Sequence, residues 1–179
     1  LLLITDLFDG DINLAFDEAV AIELFHNFTL IHDDIMDEAP LRRGEQTVHI
    51  KWNENIGILS GDILYAVSNQ LIANSINNIN PAVNQLFQRT SIEVCEGQAM
   101  DMEFESRDAS VDEYILMIEK KTGSLFELCF EIPSLISDDY LQFRPQLKKI
   151  GRNLGVIFQM QDDILEMSTS SENMGKGTN

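Results

Sequence analysis

The sequence predicts an all-α fold, because apolar residues recur at the helical period of about 3.6 and no convincing alternating strand segment is found. Hydrophobic residues make up 44% of the 179 residues, an ordinary value for a chain that buries a core. Neither a repeat nor a flexible linker interrupts the pattern. We therefore expect one helical domain over residues 1–179. We expect it to be incomplete at both ends, because the chain does not open on Met and stops in a polar string.

Capping and breaking residues bound each predicted helix. These signals predict five helices, over residues 13–37, 56–76, 81–106, 110–132 and 145–167. Ser110, with Glu113 three residues later, indicates a capping box at the start of the fourth helix. An interruption is expected at Thr122-Gly123. The segments 41–55 and 133–143 are interpreted as loops.

The charge of the chain limits its partners. The formal net charge of −18 argues against a nucleic acid or an anionic membrane surface. Cys95 and Cys129 lie in apolar helical patterns and are expected to be buried thiols. No signal peptide is visible and no run reaches the length of a membrane span, so we expect no membrane span and a cytoplasmic protein.

Two acidic clusters of the form D-D-x-x-acid stand far apart in the sequence. They are Asp33-Asp34-Ile35-Met36-Asp37 and Asp162-Asp163-Ile164-Leu165-Glu166. Carboxylates at i and i+4 share one helical face. If the two helices faced each other, the like charges would be costly unless cations filled the space between them. The pattern favours Mg²⁺ ions that hold a polyphosphate.

Basic residues follow the first cluster closely. His26, Asp33 and Asp37 are spaced seven and four, so they line one face, and Arg42-Arg43 comes after a turn. Carboxylates and guanidiniums this close suit a shared anion, bound through metals on one side and directly on the other. The alternative from the residues alone is a solvated acidic helix end with salt-bridging arginines, since short motifs match by chance.

Further polar elements lie within otherwise apolar helices. In chain order they are Gly97-Gln98 with Asp101, Lys121-Thr122-Gly123, Phe158-Gln159 before the second cluster, and Gly175-Lys176. Together these motifs resemble those of the trans-isoprenyl diphosphate synthases, short-chain type, over nearly the whole chain. The resemblance also covers Thr47-Val48-His49, Ile58-Leu59-Ser60-Gly61-Asp62 and Gly151-Arg152-Asn153-Leu154-Gly155.

The resemblance implies an antiparallel helical bundle around a deep central cavity, the isoprenoid synthase fold, normally as a homodimer. It implies a prenyltransferase that condenses isopentenyl diphosphate with an allylic diphosphate of five, ten or fifteen carbons by ionisation, condensation and elimination. Three Mg²⁺ ions are expected at each active site. The implied metal ligands are Asp33, Asp37 and Asp162; the implied catalytic residues are these with Asp34 and Lys121.

The resemblance also assigns substrate contacts. Arg42, Lys121, Thr122, Gln159 and Lys176 are expected at the allylic diphosphate, and Arg43, His26 and Phe158 at isopentenyl diphosphate. Phe28 and Thr29, five and four residues before Asp33, are expected to set the chain length, and an aromatic ring there favours geranylgeranyl over farnesyl diphosphate as product. The sequence departs from the family where Ser168-Thr169-Ser170-Ser171 replaces a usual Gly-Asp turn and Glu166 replaces Asp.

Three other interpretations stay open. A class I terpene cyclase also uses D-D-x-x-D, but its second site carries Ser or Thr where Glu166 stands. A non-catalytic subunit of a heteromeric synthase would usually lose aspartates from the first cluster, and this chain keeps them. An acidic helical protein that binds Ca²⁺ or a protein partner would leave Arg42, Lys121 and Gln159 unexplained.

Overall fold

The computed structural model describes residues 1–75 and 81–175, with side chains throughout except at 138–139, 166 and 168–175. It is helical almost throughout these ranges, which confirms the predicted fold class. The helices are α1 (Leu2–Leu7), α2 (Phe16–Met36), α3 (Val48–Lys51), α4 (Glu54–Asn74), α5 (Pro81–Phe104), α6 (Val111–Ile118), α7 (Ser124–Glu131), α8 (Pro133–Ile136) and α9 (Arg144–Gly175).

Several predicted boundaries were wrong. The supposed loop 133–143 contains α8 and a 3₁₀ helix over Asp138–Phe143, and the supposed connection 41–55 contains α3 and a hairpin of β1 (Leu41–Arg42) with β2 (Glu45–Gln46). The predicted helix end at 76, with the Asn-rich break after it, lies outside the described residues. The capping box of Ser110 and Glu113 is present at α6. Cys129 is half-buried, but Cys95 is exposed, so its predicted burial was wrong.

The chain divides into two compact units, Leu1–Asn84 and Gln85–Asn179. In the first unit, α2 packs on α4 at two glycines. A Cβ on Gly57 would lie 2.7 Å from Ile35 Cδ1, and one on Gly61 would lie 2.3 Å from His32 Nε2. A larger residue at either glycine would therefore displace the Ile35 or His32 side chain. Core residues of this unit are Ala15, Ala21, Ile22, Phe25 and Ile72.

In the second unit, α7 crosses α9 with equally little space. A Cβ on Gly151 would lie 2.9 Å from Glu127 Cα, and one on Gly155 would lie 2.7 Å from Gly123 Cα. Apolar side chains fill the unit around this crossing. They are Leu86, Phe87, Val94, Met117, Ile118, Leu128, Ile132, Leu135 and Leu147.

A network of ion pairs lies within the second unit. Glu127 and Glu131 on α7 are each 2% exposed, and basic side chains from α5 and α9 surround them. Carboxylates this deep are costly unless cations accompany them. Arg152 Nε contacts Glu127 directly, and Arg144 Nη2 lies 2.6 Å from Glu131. Lys148 Nζ lies 3.1 Å and Arg89 Nη2 3.2 Å from Glu127, and Arg152 Nη2 also lies 3.0 Å from Glu93.

Helix α4 carries an apolar surface. It has 21 residues, with an 18-residue window of mean hydropathy 1.3, so by length and composition it is able to cross a membrane. The expectation that no run reaches this length is therefore not supported. One such helix is weak evidence for a span, and 22% of that window is buried inside the structure. Ile63 is the most exposed apolar residue of this helix, at 63%.

Candidate active site

The first acidic cluster occupies the end of α2, where Arg42 binds it. Arg42 Nε and Nη2 each lie 2.7 Å from Asp34 Oδ1, and Nη2 lies 3.4 Å from Asp33 Oδ2. Asp34 is 5% exposed, whereas Asp37, the C-cap residue of α2, is exposed. The hydrogen bond with Asp34 raises the pKa of the Arg42 guanidinium above its usual value. Asp34 is thus the buried member of the cluster, and Arg42 is its partner.

The β1–β2 hairpin places the two arginines differently. Arg43 and Gly44 form its two-residue turn with φ of 54° and 83°, as type I′ turns require. Arg43 is exposed at the tip, while Arg42 on β1 reaches back to α2. Buried Thr47 closes the hairpin by donating from Oγ1 to Ala39 O at 2.7 Å. The turn therefore presents Arg43 outward and Arg42 inward.

Aromatic rings lie beside the helix one turn before the cluster. The Phe28 ring centroid is 5.5 Å from Phe25, 5.1 Å from Tyr65 and 4.8 Å from His32. His32 Nε2 in turn lies 3.1 Å from Ile58 O on α4. The half-buried Phe28 is therefore held on several sides. Its neighbour Thr29 donates from Oγ1 to His26 O at 2.7 Å within α2.

His26 lies on the same face as Asp33 and Asp37 and is half-buried. Burial lowers the pKa of its imidazole below the usual 6.5; the negative charge of Glu23 opposes this shift, and the charges of Arg43 and Arg42 add to it. The ring is therefore neutral at pH 7. It can offer an anion one N–H donor at that pH but no positive charge.

Lys121 lies in a π-helical turn, Glu119–Gly123, that separates α6 from α7. Its Nζ donates to Asp101 Oδ2 on α5 at 2.6 Å. Gly97 fixes the approach of α5, because a Cβ there would lie 2.3 Å from the backbone N of Lys121. The predicted irregularity at 122–123 is thus a π turn, a feature that is often found at functional sites.

A chain of hydrogen bonds joins the π turn to α9. Thr122 Oγ1 donates to Gln159 Oε1 at 2.9 Å, and Gln159 Nε2 donates to Asp163 Oδ1 at 2.8 Å. Tyr114 on α6 donates its hydroxyl hydrogen to the other oxygen, Asp163 Oδ2. Desolvation and this hydrogen bond raise the pKa of Tyr114 to about 12. Sequence reasoning missed Tyr114, and its only local signal is its position two turns before Lys121.

The remaining candidate residues are placed as follows. Asp162 is exposed on α9, and Phe158 is 53% exposed with its ring 5.6 Å from that of Phe126. Lys176 lies outside the described residues. Asp33 belongs to the first compact unit and Asp162 to the second. Within the described ranges, no three His, Cys, Asp or Glu side chains are grouped as ligands around one point.

Comparisons with known proteins agree with the motifs. A sequence model of the polyprenyl synthetase family matches residues 1–179. A short chain isoprenyl diphosphate synthase of Methanocaldococcus jannaschii is 42% identical over 167 residues, 93% of this chain and 51% of the relative. A geranylgeranyl diphosphate synthase of Saccharolobus solfataricus is 41% identical over 179 aligned positions, 96% of this chain and 53% of the relative.

A solved structure also matches. The geranylgeranyl pyrophosphate synthetase of Geoglobus acetivorans superposes with a TM-score of 0.87 at 39% identity, and the match covers 93% of this chain and 56% of that one. The chain thus spans about half the length of the curated relatives it matches.

Proposed function

Because the chain belongs to the polyprenyl synthetase family, we propose that the whole protein is a prenyltransferase. It condenses isopentenyl diphosphate with an allylic diphosphate of five, ten or fifteen carbons. Geranylgeranyl diphosphate is the favoured product over farnesyl diphosphate. The relatives named geranylgeranyl diphosphate synthase, at about 40% identity, support this choice.

The observation that carries the proposal is the change of chemistry along α2. The Phe28 ring lies in an aromatic cluster, and five residues later Asp33 begins the acidic cluster that Arg42 contacts. Five residues correspond to about 7 Å along a helix. One helix thus offers an apolar surface and then a charged end, as a prenyl diphosphate requires of its binding site.

The candidate residues would have distinct roles in such a reaction. A diphosphate leaves only when its growing negative charge is compensated, and Arg42 and Lys121 would supply fixed positive charge. Thr122 and Gln159 would orient the same group, and Arg43 with neutral His26 would receive isopentenyl diphosphate. Aromatic rings such as Phe158 would shield the allylic cation from water.

Mg²⁺ is the proposed cofactor, at three ions per site. Asp33, Asp37 and Asp162 would hold it through carboxylate oxygens, the ligand type that Mg²⁺ prefers. Mg²⁺ is usually bound by one or two carboxylates together with substrate phosphates and water. When bound, it supplies positive charge to the departing diphosphate.

A second copy of the chain is the proposed partner. The exposed apolar stripe of α4, which we define as Ile56, Leu59, Ile63 and Val67, would form the contact. On the same helix, Leu64 and Leu71 are half-buried, and Ile72 belongs to the core. A cytoplasmic location is part of the same proposal, and cell fractionation would test it.

The test uses the complete protein with Mg²⁺, labelled isopentenyl diphosphate and each allylic diphosphate in turn. We expect label in a prenyl diphosphate of twenty carbons, and we expect Asp33→Asn to abolish its formation. The matched control is Asp17→Asn, which changes an exposed aspartate in the first turn of the same helix and should keep the activity. Absence of label with every starter would overturn the proposal. An allylic substrate that is cyclised without uptake of label would identify a cyclase instead.

A further inference from the structure

Tyr114 is a half-buried residue of α6 that no sequence motif included. Its hydroxyl donates to Asp163, which lies 49 residues later on α9 and directly follows the proposed metal ligand Asp162. The contact therefore ties the helix before the π turn to the second acidic cluster. All of the residues concerned lie in the second compact unit.

Asp163 is held at both oxygens. Oδ2 accepts from Tyr114 and Oδ1 accepts from Gln159 Nε2 at 2.8 Å, while Gln159 Oε1 accepts from Thr122 Oγ1 at 2.9 Å. Rotation of the carboxylate would break the hydrogen bonds at both ends. Hydrogen bonds connected in this way strengthen one another and fix side-chain orientation. Tyr114 thus helps to fix the positions of the Gln159 and Thr122 side chains.

The neighbouring Asp162 is exposed on the same helix. Successive residues on an α-helix point about 100° apart. The two aspartates therefore have different roles. Asp163 fixes the helix and the amide of Gln159, while Asp162 remains accessible to solvent and to a ligand. The first cluster shows a similar division, because Arg42 holds Asp34 while Asp37 is exposed.

We propose that Tyr114 is a positioning residue for magnesium diphosphate, which it serves by locking Asp163 and, through it, Gln159 and Thr122. This inference rests on the proposed function. Residues that orient the groups around a metal site commonly change metal affinity or activity by about 10–100-fold when they are replaced. We expect the lower part of that range, because Tyr114 acts through one intervening carboxylate.

The experiment compares Tyr114→Phe with the complete parent protein by calorimetric titration of inorganic diphosphate in the presence of Mg²⁺. We expect binding about 10-fold weaker, with the KM for isopentenyl diphosphate and the melting temperature little changed. Tyr140→Phe, outside this chain of hydrogen bonds, is the matched control and should bind like the parent. A role confined to stability would lower the melting temperature and leave diphosphate affinity unchanged, which would overturn the inference.

A double-variant cycle with Asp163→Asn tests the route of the effect. If Tyr114 acts through Asp163, then Tyr114→Phe adds little to the loss caused by Asp163→Asn. Fully additive losses would contradict the inference. If the parent protein itself neither binds magnesium diphosphate nor incorporates isopentenyl diphosphate, then the proposed function fails and the inference with it. If the parent is active and Tyr114→Phe binds magnesium diphosphate as tightly as the parent does, then only the inference about Tyr114 fails and the proposed function stands.

Discussion

Gly155 on α9 lies so close to Gly123 at the end of the π turn that a Cβ on Gly155 would come within 2.7 Å of Gly123 Cα. That atom belongs to the backbone, so it cannot move aside as a side chain would. The two glycines bring α9 against the turn that carries Lys121 and Thr122. The spacing of the helices, and with it the Thr122–Gln159 hydrogen bond, depends on the absence of both side chains.

We expect Gly155→Ala to destabilise the protein by about 1–3 kcal/mol, because the added methyl group overpacks the crossing. It should also weaken diphosphate binding, since Gln159 moves away from Thr122. Denaturant unfolding and calorimetry would measure the two effects. Asn153→Ala, at an exposed position of the same helix, should change neither. A free energy of unfolding equal to that of the parent would show that the crossing is looser than the structure has it.

Arg42→Ala should lower the free energy of unfolding by about 2 kcal/mol, because it leaves the buried Asp34 carboxylate without its guanidinium partner. Arg43→Ala is the control for stability, since Arg43 is exposed at the tip of the hairpin. Both variants should lose synthase activity under the proposed function. Equal stability of the two variants would contradict the role of Arg42 as the partner of Asp34.

His26 should make stability depend on pH. Its pKa is lowered in the folded protein, so the unfolded chain binds the proton more tightly. Stability is therefore complete above about pH 6.5, the pKa of an unperturbed imidazole, and declines as the pH falls below it. His26→Gln should show a smaller decline between pH 7 and pH 5 in urea unfolding. Parallel curves for the parent and the variant would mean that the His26 ring titrates alike in both states.

Phe28→Ala should lengthen the product by at least one five-carbon unit, because removal of the ring opens the aromatic cluster between α2 and α4. Chromatography of the extracted prenyl diphosphates would measure the distribution. Phe16→Ala, at an exposed position near the start of α2, should leave it unchanged. An unaltered distribution in Phe28→Ala would show that this ring does not limit the chain.

Ile63→Glu should convert the proposed dimer into a monomer, because it places a charge in the apolar stripe of α4. Light scattering on the eluted protein would measure the mass, with the exposed Gln70→Glu on the same helix as control. Retention of the dimer by Ile63→Glu would place the contact elsewhere. Partition of the parent into detergent micelles or vesicles would favour a membrane as the occupant of the stripe.

Local sequence signals predicted the long helices but missed the short α1, α3 and α8, because caps and helical periodicity need several turns to stand out. Ser110 and Glu113 form the expected capping box, and the irregularity at 122–123 is a π turn. The hairpin was missed because each strand has only two residues, too few for an alternating pattern. Its one signal was Gly44, which follows Arg43 and takes a φ of 83°.

The local sequence pattern did not predict contacts between residues that are far apart in the chain. Nothing near Tyr114 in the sequence points to Asp163, since that pair forms only when α6 packs beside α9. The motif residues Thr122 and Gln159 were expected at one ligand, and they are hydrogen-bonded to each other. Tertiary packing also buries Glu127 and Glu131, which no local pattern in the sequence marks.

The buried network around Glu127 and Glu131 also shapes the long-range field of the protein. It engages four of the twelve basic residues of a chain with a net charge of −18: Arg89, Arg144, Lys148 and Arg152. The eight other basic residues are far outnumbered by the acidic residues, of which the chain has 30. Under the proposed function, a diphosphate approaches this chain against electrostatic repulsion, which dissolved salt screens. The association of the protein with a diphosphate should therefore become faster as ionic strength rises. Electrostatic steering would give the opposite dependence.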